Sequence, residues 1–433
     1  MGHPHHSHAE IRVPPKTQRM LLFAVVPFVA ATLAGLFLLW PGVEQVELRQ
    51  GGFNAKELKA SVTDVSSRDC SEVAGQENFT CSTVTVELAE GEDKGETFRL
   101  DFSTGARTRL VQVGDNVIVG TVDQPQAEAA PGSPPPPKYF FLDFDRRPPL
   151  IALTLAFSLV VIALSRWRGL AALAGVAISL LVLAKFVLPA ILAGSDPLAV
   201  AIIGGSVIMF LALYLAHGLN AATTTAVLGT LASLFLTGLL ALFFVNISIF
   251  SGAGSEEAAF LQINQSQVNL QGLLLASIII GTLGVLDDVT VTQASAVWEL
   301  HKANPGYGSR DLYWSAICIG RDHIASTVNT LVLAYAGASL PLLILFSVSD
   351  RPLGQILNSE TVAEEIVRTL VGSIGLVASV PITTGLAALV VTSAQRRPTS
   401  GNRAPKRREP EEPFVPPRRE REFWEDPHDP EWK

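Results

Sequence analysis

Two adjacent carboxylates, Asp287 and Asp288, interrupt a stretch that is otherwise apolar enough to cross a membrane. On a helix, Asp288 shares one face with small and polar residues that recur every three or four positions, namely Gly281, Gly284, Thr292, Ser295 and Glu299. Asp287 lies about 100° around the helix from Asp288. Two neighbouring carboxylates in a low-dielectric environment do not both ionise unless a cation lies nearby. The pair therefore predicts a proton or cation site; the alternative is a structural contact that caps or bridges helices at the membrane surface.

A second polar cluster opens the apolar stretch that follows. Arg321, Asp322 and His323 occupy its first turn, and Asn329 lies deeper in the same predicted helix. An amide inside hydrocarbon needs hydrogen-bond partners, so Asn329 is the most informative of the four. The alternative is again structural, because a carboxylate near a helix start and an arginine at the cytoplasmic surface are both favoured without any function.

Further polar residues fall at the same predicted depth. Thr383 and Thr384 lie between a proline and a glycine, which free backbone carbonyls inside a span. With the two clusters above, they predict a polar cavity in the cytoplasmic half of the membrane, through which a substrate or ion passes. Lys185 stands apart, nearer the opposite surface, and we expect it to reach that surface or a local partner rather than Asp287.

These polar residues stand out because the chain as a whole is short of charge. Of its 433 residues, 48% are hydrophobic and 17% are charged, and the mean hydropathy is +0.35. Soluble domains carry about 25% charged residues. Beyond residue 150 the apolar runs reach about 20 residues, the length that crosses a bilayer. This pattern excludes a soluble enzyme, a nucleic-acid binder and a wholly disordered chain, and it predicts a polytopic membrane protein.

The hydropathy pattern predicts an all-α membrane bundle of about eight transmembrane helices, with a small exoplasmic β domain between the first two. Lysine and arginine concentrate in alternate loops, which predicts that both termini lie in the cytoplasm. Two predicted spans, 150–164 and 170–192, are separated by a short loop with Arg166 and Arg168. The predicted domains are a His-rich cytoplasmic tail (1–19), an anchor (20–40), the β domain (43–123), a Pro-rich linker (124–149), a seven-helix core (150–395) and a disordered, charged cytoplasmic tail (396–433).

The β domain is predicted from short β-branched or alternating segments separated by Gly, Asp and Asn, and a barrel of OB or SH3-like type fits its size. Its two cysteines, Cys70 and Cys81, lie close together in the sequence and predict a disulfide. A disulfide requires the oxidising side of the membrane. Cys318 is far from both and predicts a free thiol.

No motif for catalysis is visible in the sequence. It contains no P-loop, no Rossmann fingerprint, no hydrolase or metalloprotease motif and no zinc-type cysteine spacing. We therefore expect no enzyme activity, no cofactor and no metal. The histidines of the first ten residues are of a type that binds Zn²⁺ or Cu²⁺, but without a defined spacing they fit a disordered tail better.

Three of these segments together carry a family resemblance. The stretch Gly281–Ser295, the turn Ile319–His323 and the stretch Asn329–Leu343 resemble the YibE/F-like family of bacterial multispanning membrane proteins. The anchor and β domain are similar to that family's layout, so the resemblance extends over roughly residues 20–395. It implies a bacterial inner-membrane protein. Because the family has no established activity, the resemblance implies no roles for individual residues.

Two functions stay open at this point. The first is a permease for a small solute or ion, coupled to protons or another cation, whose cavity the polar residues line. The alternative is a non-transporting scaffold or assembly factor that holds partners through the β domain and the charged tail. The expected partners are the lipid bilayer, a small solute or ion, and a protein bound by the cytoplasmic tail in the scaffold case. Nucleic acid is excluded, and a homo-oligomer stays open.

Overall fold

A computed structural model of the chain describes residues 15–41, 55–69, 79–105, 111–122, 138–265 and 267–393. A first helix, α1 (Pro15–Leu38), leads to a five-stranded antiparallel sheet. The strands are β1 (Ala55–Asp69), β2 (Phe79–Leu88), β3 (Thr97–Gly105), β4 (Asn116–Val122) and β5 (Tyr139–Phe144). The predicted small β domain is therefore present as a sheet.

The sheet has the strand order β3-β2-β1-β4-β5 and buries one apolar face. Its core is mainly valine from the three central strands, because alternate side chains of a strand share a face. Phe98 of β3 stacks on Tyr139 of β5 at 4.7 Å between ring centroids, so the two outer strands approach each other. This curvature is that of a partly open five-stranded barrel. Cys70 lies outside the described residues, and the Cys70–Cys81 disulfide stays a prediction.

A salt bridge closes the barrel near these rings and makes its stability depend on pH. Lys138 Nζ lies 2.5 Å from Asp93 Oδ2, to which Tyr139 also donates a hydrogen bond. The bonds from Lys138 and Tyr139 lower the pKa of Asp93 below its usual value. A carboxylate whose pKa is lowered on folding stabilises the fold above its unfolded pKa, and that stability is lost as the pH falls through the folded pKa.

We therefore expect pepsin to cleave the sheet faster as the pH drops below about 4, the ordinary pKa of an aspartate, because the sheet then unfolds more readily. In Asp93→Asn, the sheet should already be cleaved readily at pH 5, and the cleavage rate should change less as the pH falls further. The measurement is the rate of pepsin cleavage within residues 79–144 of the full chain, at several pH values. Asp64→Asn, at an exposed position of β1, is the matched control, and an equal loss in both variants would contradict the role of the salt bridge.

The rest of the described chain is helical. The helices are α2 (Arg147–Val182), a π-helical turn (Leu183–Val187), α3 (Leu188–Leu192), α4 (Pro197–His217), α5 (Ala221–Ile247), α6 (Glu256–Asn264), α7 (Leu270–Ala303), α8 (Ser309–Ala338), α9 (Leu340–Ser347), α10 (Leu353–Leu357) and α11 (Glu360–Ser393). Asparagine or aspartate caps the starts of α4, α5 and α7 and accepts a backbone N–H there.

Six of the described helical segments are long and apolar enough to cross a membrane, or seven if α8 and α9, bent by 64°, form one span. The sequence predicts about eight. The difference lies in the helical stretch Arg147–Leu192, whose 46 residues count as one segment. Arg166, within that stretch, has φ 52° and ψ −127°, so the helix is broken where the sequence predicts a loop. The fold is that of a multi-pass membrane protein.

The helices differ in how deeply they are buried. In α7 and α11, 56% of the residues in the apolar stretch of 18 are buried, against 17% in α1 and in the stretch that contains α2. The helices α7 and α11 are therefore central, and the first two helices are peripheral. We call the end of the bundle where α1 ends and α11 begins the sheet end, and the opposite end, where α11 ends, the tail end. Chain direction places the start of α7 at the sheet end and the start of α5 at the tail end.

Candidate functional site

Three central helices, α5, α7 and α11, bury a set of hydroxyl and amide side chains between them. We call this set the polar core; its members are Thr230, Ser233, Thr237, Thr282, Thr290, Gln293, Ser379, Thr383 and Thr384, each 3% exposed or less. Several of the hydroxyls donate to a carbonyl of their own helix, as Ser233 and Thr237 do to positions four residues earlier. Polar side chains inside a span face other helices or a water-filled space, because lipid offers them no hydrogen-bond partners.

Glycines allow the helices around this core to approach closely. A Cβ at Gly229 of α5 would lie 3.0 Å from Cβ of Thr383 on α11. In the reciprocal contact, a Cβ at Gly375 of α11 would lie 3.1 Å from Cβ of Thr237 on α5. On each helix the glycine lies the same number of residues before the threonine. The two antiparallel helices therefore meet through equivalent contacts. Small residues at such crossings are the usual means of close packing in membranes.

Asp287 faces this core from α7. Thr230 and Thr290 share a hydrogen bond of 2.7 Å between their hydroxyls, and Thr290 Oγ1 also donates to the backbone carbonyl of Asp287 at 3.2 Å. The Thr230 hydroxyl also interacts with the Asp287 carboxyl through a side-chain hydrogen bond. Asp287 Oδ1 is buried and accepts no hydrogen bond within the described ranges. The carboxyl therefore has room for another hydrogen-bond partner.

Gln293 lies closer to the tail end of α7. Its Oε1 accepts a hydrogen bond of 2.9 Å from Thr384 of α11. Its Nε2 is buried with no acceptor in the part of the chain that the structure describes, and the same is true of the hydroxyl of Thr383. Gly320 of α8 lets that helix approach, because a Cβ there would lie 2.7 Å from Gln293 Nε2. Three helices, α7, α8 and α11, thus meet at this amide.

Asp288, in contrast, is exposed on the other face of α7. Its Oδ2 lies 4.0 Å from Nε2 of His323 on α8, and its side chain is 72% exposed. His217, at the end of α4, lies within electrostatic range of Asp288 and of Arg168. One carboxylate, two imidazoles and one guanidinium therefore gather at the tail end, beside the polar core rather than inside it.

The remaining predicted site residues are spread over the surface of the bundle. Thr292 is half-buried, while Ser295 on α7 and Arg321, Asp322 and Asn329 on α8 are exposed. The buried face of α8 carries Leu312, Ala316 and Gly320, so Asn329 points elsewhere. Of the predicted set, the structure brings Asp287, Thr383 and Thr384 to the polar core, and it brings His323 to Asp288.

Lys185 lies away from both clusters. It is exposed on the π-helical turn, and the adjacent Phe186 and Val187 pack with Val268 and Leu270 near the sheet end. This agrees with the expected separation from Asp287. Cys318 is a free, exposed thiol on α8, as the sequence predicts.

The bundle also holds an apolar cavity outside the polar core. A cavity of about 250 Å³ lies between α1, α4 and α5, lined by apolar side chains such as Phe28, Ile202 and Phe235. Its two hydroxyls, on Thr32 and Ser206, donate to carbonyls of their own helices. The polar core is closely packed at the glycine–threonine contacts between α5 and α11, and the predicted cytoplasmic cavity stays a prediction. Among the described residues no group of three His, Cys, Asp or Glu side chains is placed to hold a metal ion.

Several polar residues of the central helices are not singled out by the sequence pattern. Thr230, Thr290 and Gln293 belong to the polar core, and Glu364 and Arg368 lie in the sheet-end part of α11. A signal is present for other members of the polar core, Ser233, Thr237, Ser379 and Thr383: the pattern Gly-x-x-Ala-Ser-x-x-x-Thr occurs at residues 229–237 and again at 375–383. Both occurrences form the reciprocal contacts described above.

Comparison with known proteins places the chain in a family. The family model of the YibE/F-like protein matches residues 153–393, which is more than half of the chain. The chain belongs to the YibE/F-like family. The match includes α5, α7 and α11 and therefore the whole polar core, whereas α1 and the sheet lie outside it. No curated protein and no solved structure matches the chain.

Proposed function

We propose that this YibE/F-like protein is a permease for a small solute or ion, coupled to protons, and that the polar core is its pathway. The observation that carries the proposal is that three buried atoms of the central helices, Asp287 Oδ1, Gln293 Nε2 and Thr383 Oγ1, lack partners within the described residues. Such atoms are costly inside a membrane. A pathway that takes up water, protons or solute when it opens gives them partners.

The packing of the polar core supports a closed state of this pathway. Glycine–threonine contacts join α5 to α11 on both sides of Ser233 and Ser379. Opening needs only a small separation of these two helices, because most of the hydroxyls already bond within their own helix. Asp288, His323 and His217 would form the mouth of the pathway at the tail end.

The topology we propose has eight spans, with the break at Arg166 dividing two of them and both termini in the cytoplasm. The tail end is then cytoplasmic and the sheet is exoplasmic, which suits the predicted disulfide. Asp287 lies about 26 Å along α7 from its start at the sheet end, which places it in the cytoplasmic half of the membrane. The plasma membrane of a bacterium is the expected location.

The test is solute-dependent proton movement in proteoliposomes that contain the protein and an internal pH dye. We expect at least one solute from a panel of amino acids, sugars, carboxylates, polyamines and inorganic cations to change the internal pH. Asp287→Asn should lower that rate at least tenfold, because it removes the exchangeable carboxyl and keeps the side chain's shape. Glu299→Gln, an exposed carboxyl on the same helix paired with Lys302, is the matched control.

Two outcomes would count against the proposal. A rate in Asp287→Asn equal to that of the control would remove the polar core from the pathway. No pH change with any solute in the panel, in either direction of the gradient, would argue against a proton-coupled permease. Loss of partner crosslinking on deletion of residues 43–123 would then favour the scaffold.

A further inference from the structure

The sheet-end part of α11 carries charged residues that the proposed pathway does not use. Glu364 is only 7% exposed, although it lies in a helix long and apolar enough to span a membrane. Its Oε1 is buried and accepts no hydrogen bond from any residue that the structure describes. A carboxyl buried to this degree requires a proton, a cation or a hydrogen-bond donor.

A loop between α5 and α6 covers Glu364. The preceding acid, Glu360, accepts hydrogen bonds through Oε1 from Ser251 N at 2.6 Å, from the Ser251 hydroxyl at 2.7 Å and from Gly252 N at 3.0 Å. Gly254 of the same loop lies directly against Glu364, because a Cβ there would lie 2.8 Å from the carboxyl carbon. Glu364 is therefore enclosed by protein, while Glu360 holds the loop in place.

Further polar atoms without partners follow Glu364 along α11. Arg368, one turn on, pairs with Glu365 at 3.6 Å through its terminal nitrogen. Its Nε, like the hydroxyl of Ser373, is buried and unpartnered across the described ranges. Tyr335 of α8 lies within electrostatic range of Arg368 and Glu365.

The unpartnered atoms of Arg368 and Ser373 lie at heights between Glu364 and Asp287. A Cβ at Gly372 of α11 would lie 2.7 Å from the Thr282 methyl of α7, which fixes the relative height of the two helices. At 1.5 Å per residue, Glu364 and Asp287 are then about 20 Å apart along the bundle axis. Arg368 and Ser373 lie between them. Buried polar groups in native proteins nearly always have partners, and ordered water is the partner when protein is not.

We propose that a chain of water molecules runs along α11 from Glu364 to Asp287, and that Glu364 is the carboxyl that receives protons at the sheet end. This inference rests on the proposed permease and adds its exoplasmic proton site. The groups that act on Glu364 are the backbone N–H of Gly254, the carboxyl of Glu360, with which Glu364 shares a hydrogen bond, and the guanidinium of Arg368. The nearby guanidinium disfavours a metal cation and leaves the proton as the ligand.

The water path is tested by thiol accessibility, which does not depend on transport. Ser373→Cys and Leu370→Cys are each made in a Cys318→Ser background and reconstituted in lipid vesicles. Leu370 is 55% exposed on the bundle surface and lies nearer the sheet end, so lipid covers it. A hydrophilic methanethiosulfonate reagent should modify Ser373→Cys at least tenfold faster, measured by the mass of the intact protein. Equal or slower modification of Ser373→Cys would overturn the water path.

The role of Glu364 is tested in the same vesicles. Glu364→Gln should lower solute-dependent proton movement at least tenfold, and Glu364→Asp should retain at least a third of it. Labelling of Ser373→Cys should change less than twofold in the Gln variant, which shows that the helix has not moved. Rapid labelling with an unaltered proton rate would overturn the role of Glu364. Rapid labelling without any transport by the parent protein would contradict the permease and leave the water path standing.

Discussion

Gly375→Ala will destabilise the bundle by about 1–3 kcal/mol, the usual effect of forcing an extra carbon into a closely packed core. The new Cβ would overlap the hydroxyl of Thr237 and lie 3.1 Å from its Cβ. Thr237 is fully buried, and its hydroxyl donates to the carbonyl of Ser233 at 2.8 Å, so its position is held. Thermal unfolding of the purified protein in detergent measures the change.

Gly337→Ala is the matched control for this substitution. Gly337 lies near the end of α8, and no atom lies within 4 Å of a Cβ built there. Alanine is the better helix former by up to about 1 kcal/mol, so this variant should be equal to or more stable than the parent. Two variants of identical chemistry are thus expected to shift stability in opposite directions. A shift of the same sign and size in both would show that the contact at Gly375 is not tight.

The reciprocal geometry allows a sharper test with double variants. Thr237→Ala should restore part of the stability lost in Gly375→Ala, and Thr383→Ala should do the same for Gly229→Ala. Neither should rescue the other glycine, because the atoms nearest each added Cβ all belong to one threonine of the opposite helix. Coupling between residues in contact is typically 0.5–3 kcal/mol. Equal rescue by both threonines would mean general loosening of the bundle.

The sequence predicts the class of protein well, because apolar runs of membrane length are a strong signal. It also identifies the helix that carries Asp287 and Asp288 and the family to which the chain belongs. It cannot say which face of that helix meets a neighbour. The stripe through Asp288 is the more regular pattern, yet the structure leaves Asp288 exposed and turns Asp287 toward the polar core. Periodicity describes one helix, whereas burial depends on the helices around it.

A similar limit explains Glu364 and Arg368. The acidic residues at the start of α11 look like part of a loop, and the apolar pattern predicts a span only from residue 366 onward, with Arg368 just inside it. In the structure, α11 begins at Glu360, and the loop before α6 covers the acidic side chain. A charged residue is known to be buried only when the segment that packs over it is known. For Glu364, that segment is the loop before α6, which lies more than a hundred positions away in the sequence.

The second large loss of stability is expected for a substitution at Gly252, in the same loop before α6. Its φ is +79°, a conformation that non-glycine residues rarely adopt, and a Cβ there would lie 2.5 Å from the carbonyl carbon of Leu270 and 2.8 Å from Gln271 N. Both atoms are backbone at the start of α7 and have little freedom to move. Gly252→Ala should therefore destabilise the protein by more than the 1–2 kcal/mol of the left-handed conformation alone.

Gly194→Ala separates the two causes of this loss. Gly194 has φ +87° in another loop at the same end of the bundle, and no atom lies within 4 Å of its Cβ position. It should show only the conformational effect, whereas Gly252→Ala adds the backbone overlap and displaces the N–H that Glu360 accepts. Thermal unfolding gives the difference, and limited proteolysis near residue 252 shows whether the loop has opened. Equal losses in the two variants would mean that the loop yields freely, and the enclosure of Glu364 would then depend on Gly254 alone.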